Sequence, residues 1–286
     1  MKPTALHDLG RLCLAGLATA LALLIAACGG GGAAPTTGSA TTARASGSLT
    51  SSTADADRTA AVCSAWVDAD AIGAKVLLNT DLASATPEQL QATVKEFWSK
   101  QVPILVSMDR QAPDEIKADI GKLLSQARRG EATGDAATLS SPDVIGADRN
   151  LDRYMVQECG YDQITVSATD QAYQGLPSTV PAGTVAFTLR NEGQDAHQAV
   201  ISRADDGVAQ PYTEILTLPP DQQLKMATVL GLVQADPGQT DTVFLRLTPG
   251  RHGAVDFLPQ GTTSTGTPGN GPPHHTLGLV REFMVT

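Results

Sequence analysis

The sequence predicts an α+β protein in which a small helical bundle, stapled by a disulfide, precedes a Greek-key β-sandwich. Between residues 57 and 160, apolar residues recur at the three- and four-residue spacing of amphipathic helices, and helix-capping residues precede them. From residue 161 to residue 286 the pattern changes to short alternating runs, separated by turns rich in Gly, Pro, Asn and Asp. A chain of 286 residues is long enough for two such domains.

The first 28 residues predict export and attachment to a membrane. Lys2 and Arg11 precede an uncharged apolar run, Leu12–Ala27, which is shorter than the ~20 residues that a spanning helix needs. The run ends in Leu24-Ile25-Ala26-Ala27-Cys28, which resembles a bacterial lipobox. The resemblance implies a signal peptide over residues 1–27, cleavage before Cys28, and fatty acyl chains such as palmitate on that cysteine. An uncleaved N-terminal anchor is the alternative.

Residues 28–56 predict a disordered tether, because Gly, Ala, Ser and Thr cannot bury enough surface to offset the entropy of an ordered chain. Its reach of ~25–30 Å would hold the folded part outside the cytoplasm, close to the cell membrane. The formal net charge of the whole chain is −10. This acidic balance argues against nucleic acid or anionic headgroups as partners.

Four helices are predicted from caps and apolar stripes. Thr86 and Gln89 form a capping box with Pro87 at the first helical position, and Ser141 precedes Pro142 in the same way. The predicted helices run from about Asp57 to Leu78, from Pro87 to before Pro103, from Asp114 to near Gly130, and from Pro142 to Cys159. Trp66 and Trp98 are assigned to the core, with ligand binding as the alternative.

Two cysteines remain once Cys13 leaves with the signal peptide and Cys28 takes lipid. Cys63 and Cys159 most simply pair, because an exported chain meets an oxidising environment. A bridge closing a loop of ~100 residues would stabilise the bundle by about 4–5 kcal/mol in the chain-entropy model. Free thiols or a redox pair are the alternatives, although neither cysteine lies in a C-x-x-C motif.

Alternating runs after Tyr161 predict the strands of the sandwich. The clearest are Ile164–Ala168, Val185–Leu189, Val243–Leu247 and Val280–Val285. Between His197 and Val243, the segment Gln222–Val233 predicts a short helix. Further along the chain, just before His274, Gly261–Pro273 predicts a long polar loop. Such loops at one end of a sandwich either form a binding site or are tolerated decoration.

Four segments of this half resemble the cupredoxin family. They are the turn Pro181–Val185, the loop Asn191–His197, the turn Pro249–His252, and the segment Pro273–Val280. The resemblance covers roughly residues 162–286 and implies a cupredoxin-like sandwich. It places His197 and His274 at the two copper-binding histidines of the family.

The same resemblance implies an altered copper site. The family's cysteine position falls on or near Asp256, its methionine position falls on Leu279, and the chain has no cysteine after Cys159. A blue-copper centre is defined by its copper–thiolate bond, so electron transfer of that kind is excluded. Two readings remain: the histidines are vestigial and the protein has no cofactor, or His197, Asp256 and His274 bind Zn(II) or Cu(II), with His252 or His275 as further ligands.

The sequence favours a protein without enzymatic activity. It contains no G-x-S-x-G, H-E-x-x-H or P-loop pattern, and no pair of acids placed by a recognised motif. The leading hypothesis is a lipid-anchored envelope protein with a binding or structural role and an unknown protein or small-molecule partner. The second is capture of copper or zinc outside the cytoplasm, and the third is an enzyme.

Overall fold

The computed structural model describes residues 49–78, 85–263 and 269–286. The predicted signal peptide, the lipid attachment site Cys28 and the first part of the tether lie outside the described residues. Across the described ranges, no helix combines the length and the apolar character needed to cross a membrane. Four long helices are followed by two β-sheets packed face to face, as the predicted α+β fold class requires.

The bundle consists of α1 (Leu49–Leu78), α2 (Pro87–Gln111), α3 (Asp114–Thr133) and α4 (Pro142–Glu158), with a 3₁₀ turn at Ala136–Thr138. The predicted caps are present, because Thr86 and Gln89 form the capping box and Ser141 accepts a hydrogen bond from the Val144 amide. The apolar stripes meet in one core. Its buried members include Val62, Trp66, Trp98, Leu105, Met108, Ile120, Leu151 and Met155.

Three helix boundaries differ from the prediction. Helix α1 begins at Leu49, inside the segment predicted as tether, because adding a residue to an existing helix gains a hydrogen bond without requiring burial. Helix α2 continues through Pro103, where a break was predicted. The ring of Pro103 faces solvent, while Gln101, Leu105 and Met108 on either side are buried and hold the helix together.

Helix α3 passes Gly130 and ends at Thr133, with Gly134 in the left-handed conformation at φ 68°. Gly130 is therefore not the end of the helix; it is needed for close packing. A Cβ atom there would lie 2.0 Å from Trp98 Cδ1 and 2.6 Å from Thr138 Oγ1. The absence of a side chain lets the Trp98 indole reach Thr138, to which it donates a 2.8 Å hydrogen bond.

The predicted disulfide between Cys63 and Cys159 is present, with the two α-carbons 5.8 Å apart. It joins the middle of α1 to the residue that follows α4. The first and last helices of the bundle are therefore covalently linked, which restricts the unfolded chain.

Within the described residues, the sandwich has nine strands in two sheets. One sheet has the order β2 (Ala172–Gln174), β1 (Asp162–Thr169), β4 (Gly183–Asn191), β7 (Thr240–Leu247). The other has the order β3 (Thr179–Val180), β9 (Val280–Val285), β8 (Gly250–Val255), β5 (His197–Ala204), β6 (Ala227–Ala235). Strand pairs β1–β4 and β3–β9 are parallel and the others antiparallel. The inner faces bury one apolar cluster that includes Val166, Phe187, Leu189, Ile201, Leu245 and Leu279.

The prediction of a helix over Gln222–Val233 is wrong. Only short helices, α5 (Tyr212–Ile215) and α6 (Pro220–Gln223), occur between β5 and β6. Strand β6 takes most of the predicted segment, and it pairs along its length with β5. The β-branched residues Thr228, Val229 and Val233 suit this paired strand, and the tertiary partner overrides the local pattern.

Helix α1 covers the edge of the sandwich at β7. The Asp70 carboxylate accepts a 3.0 Å hydrogen bond from the Phe244 amide, and Arg246 contacts Asp68 and donates to the Ser64 carbonyl at 3.2 Å. The Phe244 side chain belongs to the core of the bundle. The helical layer thus covers an edge strand that would otherwise present unpaired backbone groups.

We expect Gly130→Ala to lower the free energy of unfolding by about 2–4 kcal/mol, because the new methyl group would overlap Trp98 and separate it from Thr138. Gly121→Ala is the matched control in the same helix, since a Cβ there meets nothing within 4 Å. That variant should be neutral or more stable by up to about 1 kcal/mol. Urea unfolding measures both changes, and equal effects at the two glycines would contradict the packing role of Gly130.

Candidate metal centre

Three chain segments meet at one end of the sandwich. His197 is the first residue of β5, Asp256 directly follows β8, and His274 opens a 3₁₀ turn that ends at Leu277. Backbone hydrogen bonds join the last two segments: the Asp256 amide donates to the Leu279 carbonyl at 3.0 Å, and the Leu279 amide donates to the His274 carbonyl at 3.1 Å. Neighbouring strands β5 and β8 set the position of His197 relative to Asp256.

The three side chains predicted as metal ligands converge. Asp256 Oδ2 lies 2.9 Å from His197 Nδ1 and 3.3 Å from His274 Nδ1. The imidazole rings are 4.5 Å apart, and all three residues are fully buried. Each offers one ligand atom, and these atoms lie within 4.8 Å of one another. The second oxygen, Asp256 Oδ1, accepts a 2.9 Å hydrogen bond from the Leu258 amide, which orients the carboxylate.

Two further carboxylates orient the imidazoles from outside. His197 Nε2 lies 3.1 Å from Asp170 Oδ1, and His274 Nε2 lies 3.2 Å from Asp195 Oδ2. Burial alone would raise the pKa of Asp170, but backbone amides and His197 lower it below its usual value, so this carboxylate is ionised and accepts. An ionised carboxylate fixes the proton on Nε2 of its histidine, which leaves the Nδ1 lone pair directed at Asp256.

Sequence reasoning missed both outer carboxylates. Asp195 lies inside the loop that identifies His197, and its position two residues before that histidine is the only signal that the sequence offers. Asp170 lies in the turn between β1 and β2, far from either histidine in the chain, so no spacing pattern identifies it.

The loop before His197 is built to bring Asp170 close. The Asn191 side chain donates to the carbonyls of Asp195 and Ala235 at 2.7 and 2.8 Å and accepts from the Gly193 amide at 2.8 Å. A Cβ atom on Gly193 would lie 2.2 Å from Asp170 Oδ1 and 2.6 Å from His197 Nε2. Only glycine leaves space for the contact between Asp170 and His197.

The buried centre has too few protons for its acceptors. Burial lowers the pKa of His274, but Asp256 and then Asp195 outweigh burial and raise the pKa above its ordinary value. The 3.3 Å approach of His274 Nδ1 to Asp256 lacks hydrogen-bond geometry, and this buried nitrogen has no hydrogen-bond partner among the described residues. A buried polar atom in this state is costly unless a proton or a cation occupies the centre.

The other histidines considered as ligands do not join the centre. Within the described ranges, the set of convergent ligand atoms contains His197, Asp256 and His274 only. His252 bonds the Gly250 carbonyl at 3.0 Å through Nδ1 and stacks on Phe283, and its pKa is lowered by burial. His275 Nδ1 lies 3.3 Å from the backbone carbonyl of Asp256, not from its carboxylate.

No family model matches this chain, and no curated protein matches it. Solved structures do. It is similar to auracyanin from Roseiflexus castenholzii, with 21% identity over 44% of this chain and 99% of that one and a TM-score of 0.28. It is similar to auracyanin A, a blue copper protein from Chloroflexus aurantiacus, with 15% identity over 44% of this chain and all of that one and a TM-score of 0.27. A multicopper oxidase matches with 14% identity over 44% of each chain and a TM-score of 0.25.

Proposed function

We propose that this chain is an exported, lipid-anchored protein whose β-sandwich binds one divalent transition-metal ion, Zn(II) or Cu(II), without catalysing a reaction. The ligands would be Nδ1 of His197, Nδ1 of His274 and the Asp256 carboxylate. The observation that carries this proposal is the buried His274 Nδ1, which has no hydrogen-bond partner among the described residues and faces a carboxylate and a second imidazole. A single cation would satisfy all three groups.

The donor set decides between metals. Two imidazole nitrogens and one carboxylate oxygen are borderline-to-hard ligands, which suit Zn(II) and Cu(II) better than Cu(I). The chain offers no thiolate here, since its last cysteine is Cys159, and that residue is bonded to Cys63. We therefore propose a site that holds a metal ion without cycling electrons.

The outer carboxylates support this role. Asp170 and Asp195 each accept from the Nε2 atom of one histidine, an arrangement that fixes the ring and increases the basicity of a metal ligand. The sequence at Cys28 supports the anchor, which would keep the site outside the cytoplasm at the membrane surface.

Calorimetric titration of the metal-free, full-length protein in an uncharged detergent tests the proposal. We expect one equivalent of Zn(II) or Cu(II) to bind, and His274→Ala to weaken binding by at least about 100-fold, because a buried ligand is lost. His275→Ala is the matched control, since the adjacent ring lies outside the convergent set. Absence of heat with both metals at micromolar concentration would instead favour a structural role for the histidines.

The affinity for metal should fall on acidification. Because His274 has a raised pKa and faces Asp256, Asp195 and His197, the metal must displace its proton, which costs about tenfold in affinity per pH unit below that pKa. The stability of the metal-free protein should depend on pH in the opposite direction. The raised pKa of His274 stabilises the fold below about pH 6.5, and this contribution is lost as the pH rises through the pKa of His274 in the folded protein. Thermal unfolding between pH about 5.5 and 8, with and without Zn(II), measures both. A zinc-induced increase in unfolding temperature that stays constant with pH would contradict this prediction.

The double variant Asp256→Cys, Leu279→Met tests whether Asp256 occupies the position of a copper thiolate. With Cu(II) it should acquire the intense visible band of a copper–thiolate bond, since both histidines are already in place. Leu279→Met alone is the control and should show no such band. A folded double variant that binds Cu(II) without this band would show that residue 256 is not in the thiolate position.

A further inference from the structure

An apolar pocket lies on the outer face of the sheet that contains β5, β6 and β8, the face turned away from the other sheet. The segment between β5 and β6, which includes α5 and α6, covers this face but leaves a space beneath it. The space, which we call the outer pocket, has a volume of about 320 Å³, within the ~300–1,000 Å³ range of small-molecule sites. Its aliphatic walls are Val200, Ile215, Leu216, Val229 and Val255.

The lining of the outer pocket excludes a charged occupant. Charged residues make up 17% of the chain, yet no Asp, Glu, Lys or Arg is found among the described residues that line this space. Three large apolar side chains are exposed in the described ranges, and two of them, Leu224 and Phe257, line the pocket. Exposed apolar groups gathered at a concave site indicate a surface that binds hydrocarbon. An ion placed there would lose its hydration without gaining a partner of opposite charge.

The Gln198 side chain places an unused amide in the outer pocket. It points to the outer face because Ala199, the next residue of β5, belongs to the inner core. Gln198 is only 8% exposed, and its hydrogen bonds within the described chain are made by its backbone groups. Gln234, directly opposite on β6, does not bond it, since Gln234 Nε2 is also buried without a hydrogen-bond partner in the described part of the chain. A buried amide in this state is unfavourable unless a ligand bonds it.

His275 supplies an acceptor at the same end of the outer pocket. Its Nδ1 atom lies 3.3 Å from the Asp256 carbonyl oxygen, which can only accept, so Nδ1 carries the hydrogen and Nε2 of the neutral ring keeps a free lone pair. The Gln198 amide nitrogen of the backbone also contacts Asp256, at 3.4 Å from Oδ2. Both side chains are therefore held beside Asp256. A hydroxyl group suits this pair, because it can donate to the imidazole nitrogen and accept from the side-chain amide at once.

We propose that the outer pocket binds a small uncharged alcohol, with its hydrocarbon body against Val200 and Val255 and its hydroxyl group between Gln198 and His275. A metal ion does not fit, because among the described lining residues His275 is the only one with a side chain that commonly binds metals. The site is separate from the metal centre and does not depend on the proposed metal binding.

Equilibrium binding of tritium-labelled 1-hexanol to the full-length protein in phosphatidylcholine nanodiscs tests this inference. Nanodiscs avoid free detergent, whose hydrocarbon tails would compete for an apolar pocket. We expect one saturable equivalent to bind, above the non-saturable partitioning measured with empty nanodiscs. Hexanoate and hexylammonium have the same carbon chain and a charge, and they should bind at least about tenfold more weakly. Equal binding of either ion, or no saturable binding of 1-hexanol to protein with the circular dichroism of the folded state, would overturn the inference.

Three variants locate the site. Leu224→Ser should weaken 1-hexanol binding at least about threefold, because it removes apolar contact at the mouth of the pocket. Met284→Ser is the matched control, since Met284 is 43% exposed against 45% for Leu224 and does not line the pocket; it should leave binding unchanged. Gln198→Leu keeps the size of the side chain and removes its amide, which should weaken binding at least about fivefold.

Equal effects of Leu224→Ser and Met284→Ser, or full affinity in Gln198→Leu, would show that the alcohol does not bind in the outer pocket. The comparison of the three six-carbon compounds requires no variant, so the test survives a variant that does not fold.

Discussion

The end of the sandwich is organised around one electrostatic constraint: two imidazoles and a carboxylate share a buried space that has too few protons to satisfy them. Asp170 and Asp195 hold the Nε2 atoms of His197 and His274 at 3.1 and 3.2 Å, which turns both Nδ1 atoms towards Asp256 Oδ2. One proton can join Asp256 to His197 at 2.9 Å, but then His274 Nδ1 has no partner. A single cation at the centre removes the conflict, because it can bind both Nδ1 atoms and Asp256 Oδ2 together.

Backbone hydrogen bonds keep these groups together against their own unfavourable interactions. Asn191 fastens the loop before His197, and Leu279 bonds through its backbone to the segments that carry Asp256 and His274. The centre is thus fixed by two strand ends and a hydrogen-bonded 3₁₀ turn at one end of the packed sandwich. Ligands positioned in this way require little reorganisation to bind a metal ion, which favours affinity.

Sequence reasoning identified the groups that chain-local patterns mark and missed those that only the fold brings together. His197, Asp256 and His274 were found because each lies beside a turn motif with a family resemblance. Asp170 was not, because a carboxylate in an ordinary polar turn has no distinguishing signal until β1 and β5 place it beside His197. The same reason accounts for β6, whose pattern was interpreted as helix: pairing with β5 decides its conformation. Helix α2 continues through Pro103 because buried residues on either side hold it together. Gly130 does not end α3; a glycine is present there because the Trp98 indole leaves no space for a side chain.

The two layers of the molecule depend on each other through α1. The disulfide ties this helix to the end of α4, and Asp70 and Ser64 on the same helix bond β7. Phe244 of β7 in turn completes the core of the bundle. Neither layer is complete alone, because separation would expose an edge strand on one side and an apolar cluster on the other.

Burial at this contact raises the pKa values of Asp70 and Asp152 well above the ordinary value, so the contact favours their neutral forms. Hydrogen bonds offset part of the cost of placing acids between the layers, because backbone amides serve Asp70 and Asp241 and the Trp66 indole serves Asp152.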